Sequence, residues 1–145
     1  MEIPEYVTIE EVKRVCSELG IRDWTALAEP VVQTEEAALL LKEVNVQGMD
    51  IELEDFRLGL EVELEHGTRF EDANVTNNHP FITAKIVLAH MKETLDYYKR
   101  IEVMEIEGDL HHAILAGNLD RIASKYRKLV EARKILDESV SSQLK

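Results

Sequence analysis

The stretch that decides the fold class is EDFRLGLEVELEH, residues 54–66. Apolar residues alternate with polar residues or glycine from position 56 to position 64, which is the period of a half-buried β-strand. Leucine and glutamate nevertheless dominate the stretch, and acids gather at its start, as they do in the first turn of a helix. No second strand-like stretch exists to pair with it, and an isolated strand is not stable. We therefore predict a helix, with a short β element at residues 56–64 as the alternative.

The rest of the chain is predicted to be helical as well. Apolar residues recur at helical spacing in four further segments, which begin at residues 8, 34, 80 and 119. Thr8 and Glu11 form a capping box for the first of them, and Gly20 is suited to end it. The third is predicted to run as one long helix over residues 80–107, after a polar loop at 67–80. Gly108 and Gly117 are predicted to interrupt the chain around a short segment. The sequence thus predicts an all-α, single-domain bundle of about five helices over residues 1–145.

The composition excludes several classes of protein. With 29 acids against 17 bases the formal net charge is −12, which disfavours binding to DNA or RNA. No apolar run is long enough to span a bilayer, and the acidic N-terminus does not resemble a signal peptide. The single cysteine, Cys16, cannot form an intramolecular disulfide and falls among apolar residues, as a small core residue would. We expect an acidic, soluble protein of the reducing cytoplasm.

Four polar residues fall where a helical protein places apolar ones. Projected at about 100° per residue, His90 and Glu93 share a sector of the long helix with apolar residues such as Ile86. Treated in the same way, Glu63 and His66 share a face of the preceding helix with apolar neighbours. Burying an unpaired carboxylate costs several kcal/mol, so such side chains need partners inside the protein. The spacing predicts that Glu63-x-x-His66 and His90-x-x-Glu93 converge from adjacent helices.

A metal ion accounts for this convergence. Paired Glu-x-x-His motifs hold di-iron and di-manganese centres in helical bundles, and mixed imidazole and carboxylate ligands suit iron, manganese or zinc. Glu105 is a further candidate ligand, and Glu35 or Glu36 could supply more acids. Tyr97 could hydrogen-bond to a ligand, and His79 could approach the site from the loop. For His79 the alternative is an exposed or helix-capping histidine.

The competing interpretation needs no metal. Glu63 and Glu93 could pair with His66 and His90 as partly exposed ion pairs, and a strand at residues 56–64 would place Glu63 and His66 on opposite faces. The protein would then be a non-catalytic interaction or regulatory module. Residues 121–134, with six bases and one acid, are predicted to pack near the acidic second and third segments, which begin at residues 34 and 54, and so to support the bundle or a homo-oligomer. The sequence identifies no substrate and no reaction.

Several short motifs resemble an uncharacterised family of bacterial proteins, a domain of unknown function. The resemblance extends over about residues 56–105. The motifs that carry it are ELEHG (63–67), NVT (74–76), AKI (84–86), HxxE (90–93), DYY (96–98) and ME (104–105). It implies that Glu63, His66, His90, Glu93, Tyr97 and Glu105 belong together, and it supplies no activity. Relatives carry a proline before the DYY motif where this chain has Leu95, a difference that predicts an uninterrupted long helix.

Overall fold

A computed structural model describes residues 7–144 of the chain, without the side chain of residue 71. These residues form six α-helices, two short 3-10 helices and no β-strand, which confirms the all-α class. The helices are α1 (Ile9–Leu19), α2 (Thr34–Val44), α3 (Leu53–Arg69), α4 (Pro80–Glu93), α5 (Tyr97–Leu115) and α6 (Leu119–Ser142). None of these described helices combines the length and apolar character required to cross a membrane. Residues 1–6, which carry the prediction about a signal peptide, lie outside the described part of the chain.

The chain divides into two compact units, Met1–Glu93 and Thr94–Lys145. The first contains α1 to α4, and the second contains α5 and α6, which pack against each other. The formal charge divides at the same point. The first unit has twenty acids and eight bases, whereas the second has nine of each. The whole net charge of −12 therefore belongs to the first unit, and a single domain over residues 1–145 stays a prediction.

Helix α1 begins and ends where its cap residues predict. The Thr8 hydroxyl oxygen accepts a hydrogen bond from the Glu11 backbone N–H at 3.2 Å. Gly20 ends α1 with φ +69°, in the left-handed region that glycine adopts without strain. Cys16 is a buried free thiol, and Trp24 in the following connector is fully buried. The predicted core role of Cys16 is confirmed.

Residues 54–66 lie within α3, so the β alternative at residues 56–64 is wrong. The buried residues of α3 recur at helical spacing: Phe56, Gly59, Leu60 and Leu64. Burial against neighbouring helices therefore outweighs the strand-like alternation of the sequence. The helix continues through Gly67 to Arg69. The predicted loop consequently begins later than residue 67.

The predicted long helix over residues 80–107 is wrong, because α4 ends at Glu93 and α5 begins at Tyr97. The reason lies in Asp96, which is buried and accepts hydrogen bonds from Arg100 Nε and Nη2 at 2.9 Å each. Thr94 also donates its hydroxyl to Asp96. Asp96 directly precedes α5, and the dipole at the N-terminus of a helix favours a carboxylate there. The hydrogen bonds of Asp96 at the start of α5 thus separate it from α4, although no proline lies between the two helices.

The predicted interruption at Gly108 is also wrong. Gly108 lies inside α5, which includes His111 and His112 and extends to Leu115. Gly117, with φ +63°, is the glycine at the turn, and the Asn118 side chain caps α6 by accepting from the Arg121 N–H at 3.0 Å. One glycine in a helix costs only about 1 kcal/mol relative to alanine, which the packing of α5 against α6 can offset.

The basic stretch at residues 121–134 finds acidic partners on α5. Lys125 forms an ion pair with Asp109, and Arg133 Nη2 lies 2.6 Å from Glu107 Oε1. Arg121 Nη2 lies 3.6 Å from Asp109 as well. The acids that pair with this stretch therefore lie on α5 of the second unit. Its packing near the acidic segments that begin at residues 34 and 54 stays a prediction.

Candidate functional site

The first unit brings three of the predicted site residues together. Glu63 and His66 lie one turn apart on α3, and His90 lies near the end of α4. Glu63 Oε1 is 3.2 Å from His90 Nδ1, and Glu63 Oε2 is 3.6 Å from His66 Nδ1. One carboxylate therefore lies between two imidazoles from two packed helices. We call Glu63, His66 and His90 the His–Glu cluster.

The position of each side chain follows from the packed face of α3. At about 100° per residue, Glu63 lies about 35° from the centre of that face and His66 about 95° from it. The side chain of Glu63 is accordingly only 11% exposed, whereas that of His66 is 62% exposed. His90 is intermediate, with 29% exposure. Glu63 is thus the buried member of the cluster, and His66 faces solvent.

Hydrogen bonding determines which ring nitrogens carry protons. His66 Nδ1 is 3.0 Å from the Glu63 backbone carbonyl oxygen, which can only accept, so Nδ1–H donates. An ionised Glu63 carboxylate likewise only accepts, so its contact with His90 calls for Nδ1–H on that ring. Whenever either ring is neutral, its lone pair is then on Nε2. Metal-binding histidines commonly show this arrangement, with the other ring nitrogen donating to a carboxylate or a carbonyl.

Glu93 does not occupy the core-facing position predicted for it, because its side chain is exposed. The projection joined residues of α4 and α5 as if they formed one helix. The buried face of α4 is instead made by Pro80, Thr83, Ala84, Val87 and Met91. Its centre lies about 75° from His90 and about 135° from Glu93, so His90 is at the edge of the face and Glu93 on the far side.

The predicted residues Tyr97 and Glu105 lie in the second unit, on α5. The ring of Tyr97 packs edge-on against Tyr98, with ring centroids 5.2 Å apart. Glu105 is exposed on α5. Ligation by Glu105 stays a prediction.

His79 caps α4. Its Nδ1 accepts hydrogen bonds from the backbone N–H groups of Phe81 at 3.2 Å and Ile82 at 3.3 Å. These are the donors that an N-cap side chain satisfies at the start of a helix. Burial lowers the pKa of His79, and the charge on Glu11 opposes this shift only in part. Of the alternatives for this residue, the structure therefore supports the helix cap.

A small cavity opens beside the His–Glu cluster. Its volume is about 200 Å³, and Glu63 and His66 form part of its wall. Thr76, Thr83 and Ile86 contribute further lining from the 74–78 loop and from α4. The cluster is therefore adjacent to space that a small molecule or solvent can enter.

The buried carboxylate of Glu36 has a partner that the sequence analysis missed. Its oxygens accept from Arg22 Nη2 at 2.6 Å, from Arg22 Nε at 3.0 Å and from the Gln33 backbone N–H at 3.1 Å. Burial alone would raise the pKa of Glu36, but these bonds outweigh burial and lower it. Glu36 is thus held as a helix-capping carboxylate, and the signal was its position in the first turn of α2.

The comparison with protein families bears out the resemblance to a domain of unknown function. The family model "Protein of unknown function (DUF5661)" matches residues 12–107, about two thirds of the chain. The chain belongs to this family. The DUF5661 match starts well before the residues that carried the resemblance in the sequence and includes all three residues of the His–Glu cluster. No curated protein and no solved structure matches the chain.

The described side chains of this DUF5661 member do not form a ready-made metal site. Among residues 7–144, no group of three or more histidine, cysteine, aspartate or glutamate side chains is arranged to hold a metal ion. In the His–Glu cluster, the Glu63 carboxylate and His90 Nδ1 contact each other directly. Metal binding to the His–Glu cluster requires side-chain rotation.

Proposed function

We propose that the His–Glu cluster of this protein binds one divalent transition-metal ion. The observation that carries the proposal is the placement of one carboxylate within 3.6 Å of imidazoles from two helices. This mixed set of oxygen and nitrogen donors suits iron, manganese or zinc. His66 and His90 would bind through Nε2, and Glu63 would either bind directly or orient His90 through Nδ1–H.

The His–Glu cluster has room for the side-chain rotation that metal binding requires. His66 is largely exposed, so its ring can rotate about χ1 and χ2 without opening the core. The cavity of about 200 Å³ next to Glu63 and His66 gives access for the ion and leaves positions for water. A metal with such open positions could act as a Lewis acid or a redox centre, and we assign no reaction.

Metal content and stability test the proposal directly. Protein purified without a histidine tag is treated with a chelator, dialysed against Fe²⁺, Mn²⁺ or Zn²⁺, and measured for bound metal. We expect about one equivalent per chain of at least one metal. We also expect a higher melting temperature with that metal, because a ligand that binds only the folded state stabilises it by mass action. Content well below one equivalent for all three metals would contradict the proposal.

Matched histidine variants locate the site. His90→Ala and His66→Ala should each reduce bound metal strongly, whereas His111→Ala, which removes an exposed histidine of α5, should not. Glu63→Gln keeps the size of the side chain and should weaken metal affinity by about 10–100-fold, as loss of a ligand or of its orienting partner does. Equal metal loss in the His111 variant would place the metal elsewhere.

A second candidate function is supported by the direct contact itself. With Glu63 Oε1 3.2 Å from His90 Nδ1, the pair joins α3 to α4 as a partly buried ion pair or hydrogen bond. The protein would then be a non-catalytic interaction or regulatory module. In that case Glu63→Gln and His90→Ala would each lower the melting temperature in buffer that contains a chelator. Added metal would not change the melting temperature of either variant or of the parent protein.

Four further predictions from the sequence remain proposals beside these two. They are ligation by Glu93, ligation by Glu105, assembly as a homo-oligomer and a cytoplasmic location without nucleic-acid partners. Glu93 is one turn from His90 on α4, so a rotation towards the cluster would add a second carboxylate. Metal content of Glu93→Gln and Glu105→Gln, together with the mass in solution, tests three of them.

A further inference from the structure

A second and larger cavity lies in the first unit, apart from the His–Glu cluster. Its volume is about 500 Å³, within the range of about 300–1,000 Å³ that small-molecule sites occupy. Four segments form it: the start of α1, the connector at residues 25–28, the end of α3 and the 74–78 loop. It shares no lining residue with the smaller cavity. We call it the asparagine cavity.

The wall of this cavity is polar but uncharged. Its polar side chains are Thr25, Thr68, Asn74, Asn77 and Asn78, and none of the nine lining residues is ionisable. This is unusual in a unit with twenty acids and eight bases. A charged ligand would find no counter-charge inside the cavity, and an anion would in addition be repelled by the surrounding acids.

The polar wall is held in place by its own hydrogen bonds. The Asn74 side-chain oxygen accepts from the backbone N–H of Asn77 at 3.0 Å, and Asn77 Nδ2 donates to the Val7 carbonyl oxygen at 2.6 Å. Asn78 Nδ2 donates to the Trp24 carbonyl oxygen at 3.2 Å. A wall ordered in this way before binding reduces the entropy cost of holding a ligand.

These bonds determine what the wall can offer a ligand. Thr25 donates its hydroxyl proton to Asp23 at 2.6 Å, and Thr68 donates its own to the Leu64 carbonyl oxygen at 3.1 Å. Both hydroxyl oxygens can therefore act only as acceptors towards the cavity. Asn74 uses its oxygen in the loop, so its NH₂ group is the part that can donate. A ligand needs donors and acceptors together, which a hydroxyl group combines.

We propose that the asparagine cavity binds a neutral, hydroxyl-rich small molecule about the size of a monosaccharide. The hydroxyl groups would meet the threonine oxygens and the asparagine amides. The apolar part of the wall, Ile9, Leu27 and Ala28, would contact the C–H face of the ring. This ligand class matches the uncharged wall, and the site is independent of the proposed metal.

Nuclear magnetic resonance of the ¹⁵N-labelled full chain tests the proposal with defined probes. D-glucose and myo-inositol are titrated to millimolar concentrations, and sodium gluconate serves as the anionic polyol. We expect one or both neutral probes to shift the backbone amides of Gly67, Thr68, Asn74 and Asn77 in a saturable way. Gluconate should leave them unchanged. No shift at these amides with either neutral probe would overturn the proposal, and so would an equal effect of gluconate.

Two variants in the cavity wall and one control variant distinguish binding at this site from non-specific binding elsewhere on the protein. Ala28→Phe at the exposed cavity wall fills space, and Thr68→Val removes one acceptor at almost constant volume. Ala28→Phe should weaken binding by at least about tenfold and Thr68→Val by a few-fold, with unchanged circular dichroism. Val75→Phe, beside the smaller cavity, is the control and should bind as the parent does. Unchanged affinity in both cavity variants would overturn the proposal.

Discussion

At the scale of single residues, Gly67 leaves no room for a side chain beside Asn78. A Cβ atom built on Gly67 would lie 1.7 Å from Asn78 Oδ1, which is far inside van der Waals contact. Asn78 is buried, has φ +59° and holds the Trp24 carbonyl oxygen through Nδ2. Gly67 is thus the residue that lets the 74–78 loop pack on the end of α3.

The first prediction compares two helical glycines. Gly67→Ala should destabilise the protein by about 1–3 kcal/mol, because Asn78 must move and its bond to Trp24 is lost. Gly108→Ala in α5 is the control, since nothing lies within 4 Å of the added Cβ. It should stabilise the protein by about 0.5–1 kcal/mol. Urea unfolding measures both changes. A neutral Gly67→Ala would show that the loop does not need this contact.

The second prediction concerns pH and His79. Burial lowers the pKa of His79 in the folded protein below the usual histidine value of about 6.5. As pH falls, the unfolded chain therefore takes up the proton first. The contribution of His79 is complete above pH 6.5 and is lost between 6.5 and its lower folded pKa. Glu11 and Arg14 of α1 also act on this ring, and they do so in opposite directions. Protonation removes the acceptor that caps α4.

Melting temperatures measured between neutral and mildly acidic pH test this in His79→Asn. Asparagine can still accept from the first-turn N–H groups but does not titrate, so the variant should lose less stability on acidification than the parent. His111→Asn is the control and should follow the parent, because this histidine is exposed. Identical pH curves for the parent and His79→Asn would refute the assignment.

At the scale of elements, the break between α4 and α5 is built from four residues. The Tyr97 N–H donates to the Thr94 carbonyl oxygen at 3.2 Å, which closes a turn over residues 94–97. Asp96 is held in this turn by Arg100, whose guanidinium lowers the pKa of the Asp96 carboxyl. Leu95 occupies the second position of the turn, where proline is favoured.

The third prediction follows from that position. Leu95→Pro should be tolerated, with a melting temperature equal to that of the parent or slightly higher, because proline restricts the unfolded chain. Val87→Pro, in the middle of α4, is the comparison and should cost about 3 kcal/mol or more. Thermal unfolding followed by circular dichroism distinguishes the two. A large loss in Leu95→Pro would mean that the break requires a backbone conformation closed to proline.

At the scale of the whole molecule, the dominant feature is the uneven charge. The first unit carries the whole excess of twelve acids, and the second is neutral. Ion pairs such as Arg14–Glu11 and Arg69–Glu65 lie at the surface, where pairs contribute little. We therefore expect the self-repulsion of the acids to exceed the gain from these pairs.

The fourth prediction is that salt stabilises the protein. Sodium chloride at about 0.1 M reduces the screening length to about 10 Å and should raise the melting temperature relative to low-salt buffer. The variant Glu10→Gln/Glu43→Gln removes two exposed acids. It should melt higher at low salt and respond less to added salt. A melting temperature that falls on adding salt would indicate that ion pairs outweigh the repulsion.

The sequence by itself determined the helical class, the caps at Thr8 and Gly20, and the family. Each of these depends on residues close together in the chain, whose spacing and backbone preferences determine the local structure. It also predicted that Glu63, His66 and His90 would meet, because Glu63 and His66 are one turn apart and two helices must pack through their apolar sides.

The tertiary structure decided the rest. Asp96 ends the predicted long helix through bonds to Thr94 and Arg100, and Glu93 lies on the exposed side of α4. The asparagine cavity and the contact of Gly67 with Asn78 join segments far apart in the chain. Helical periodicity describes the faces within one segment. Only packing determines where a segment stops and which distant side chains it meets.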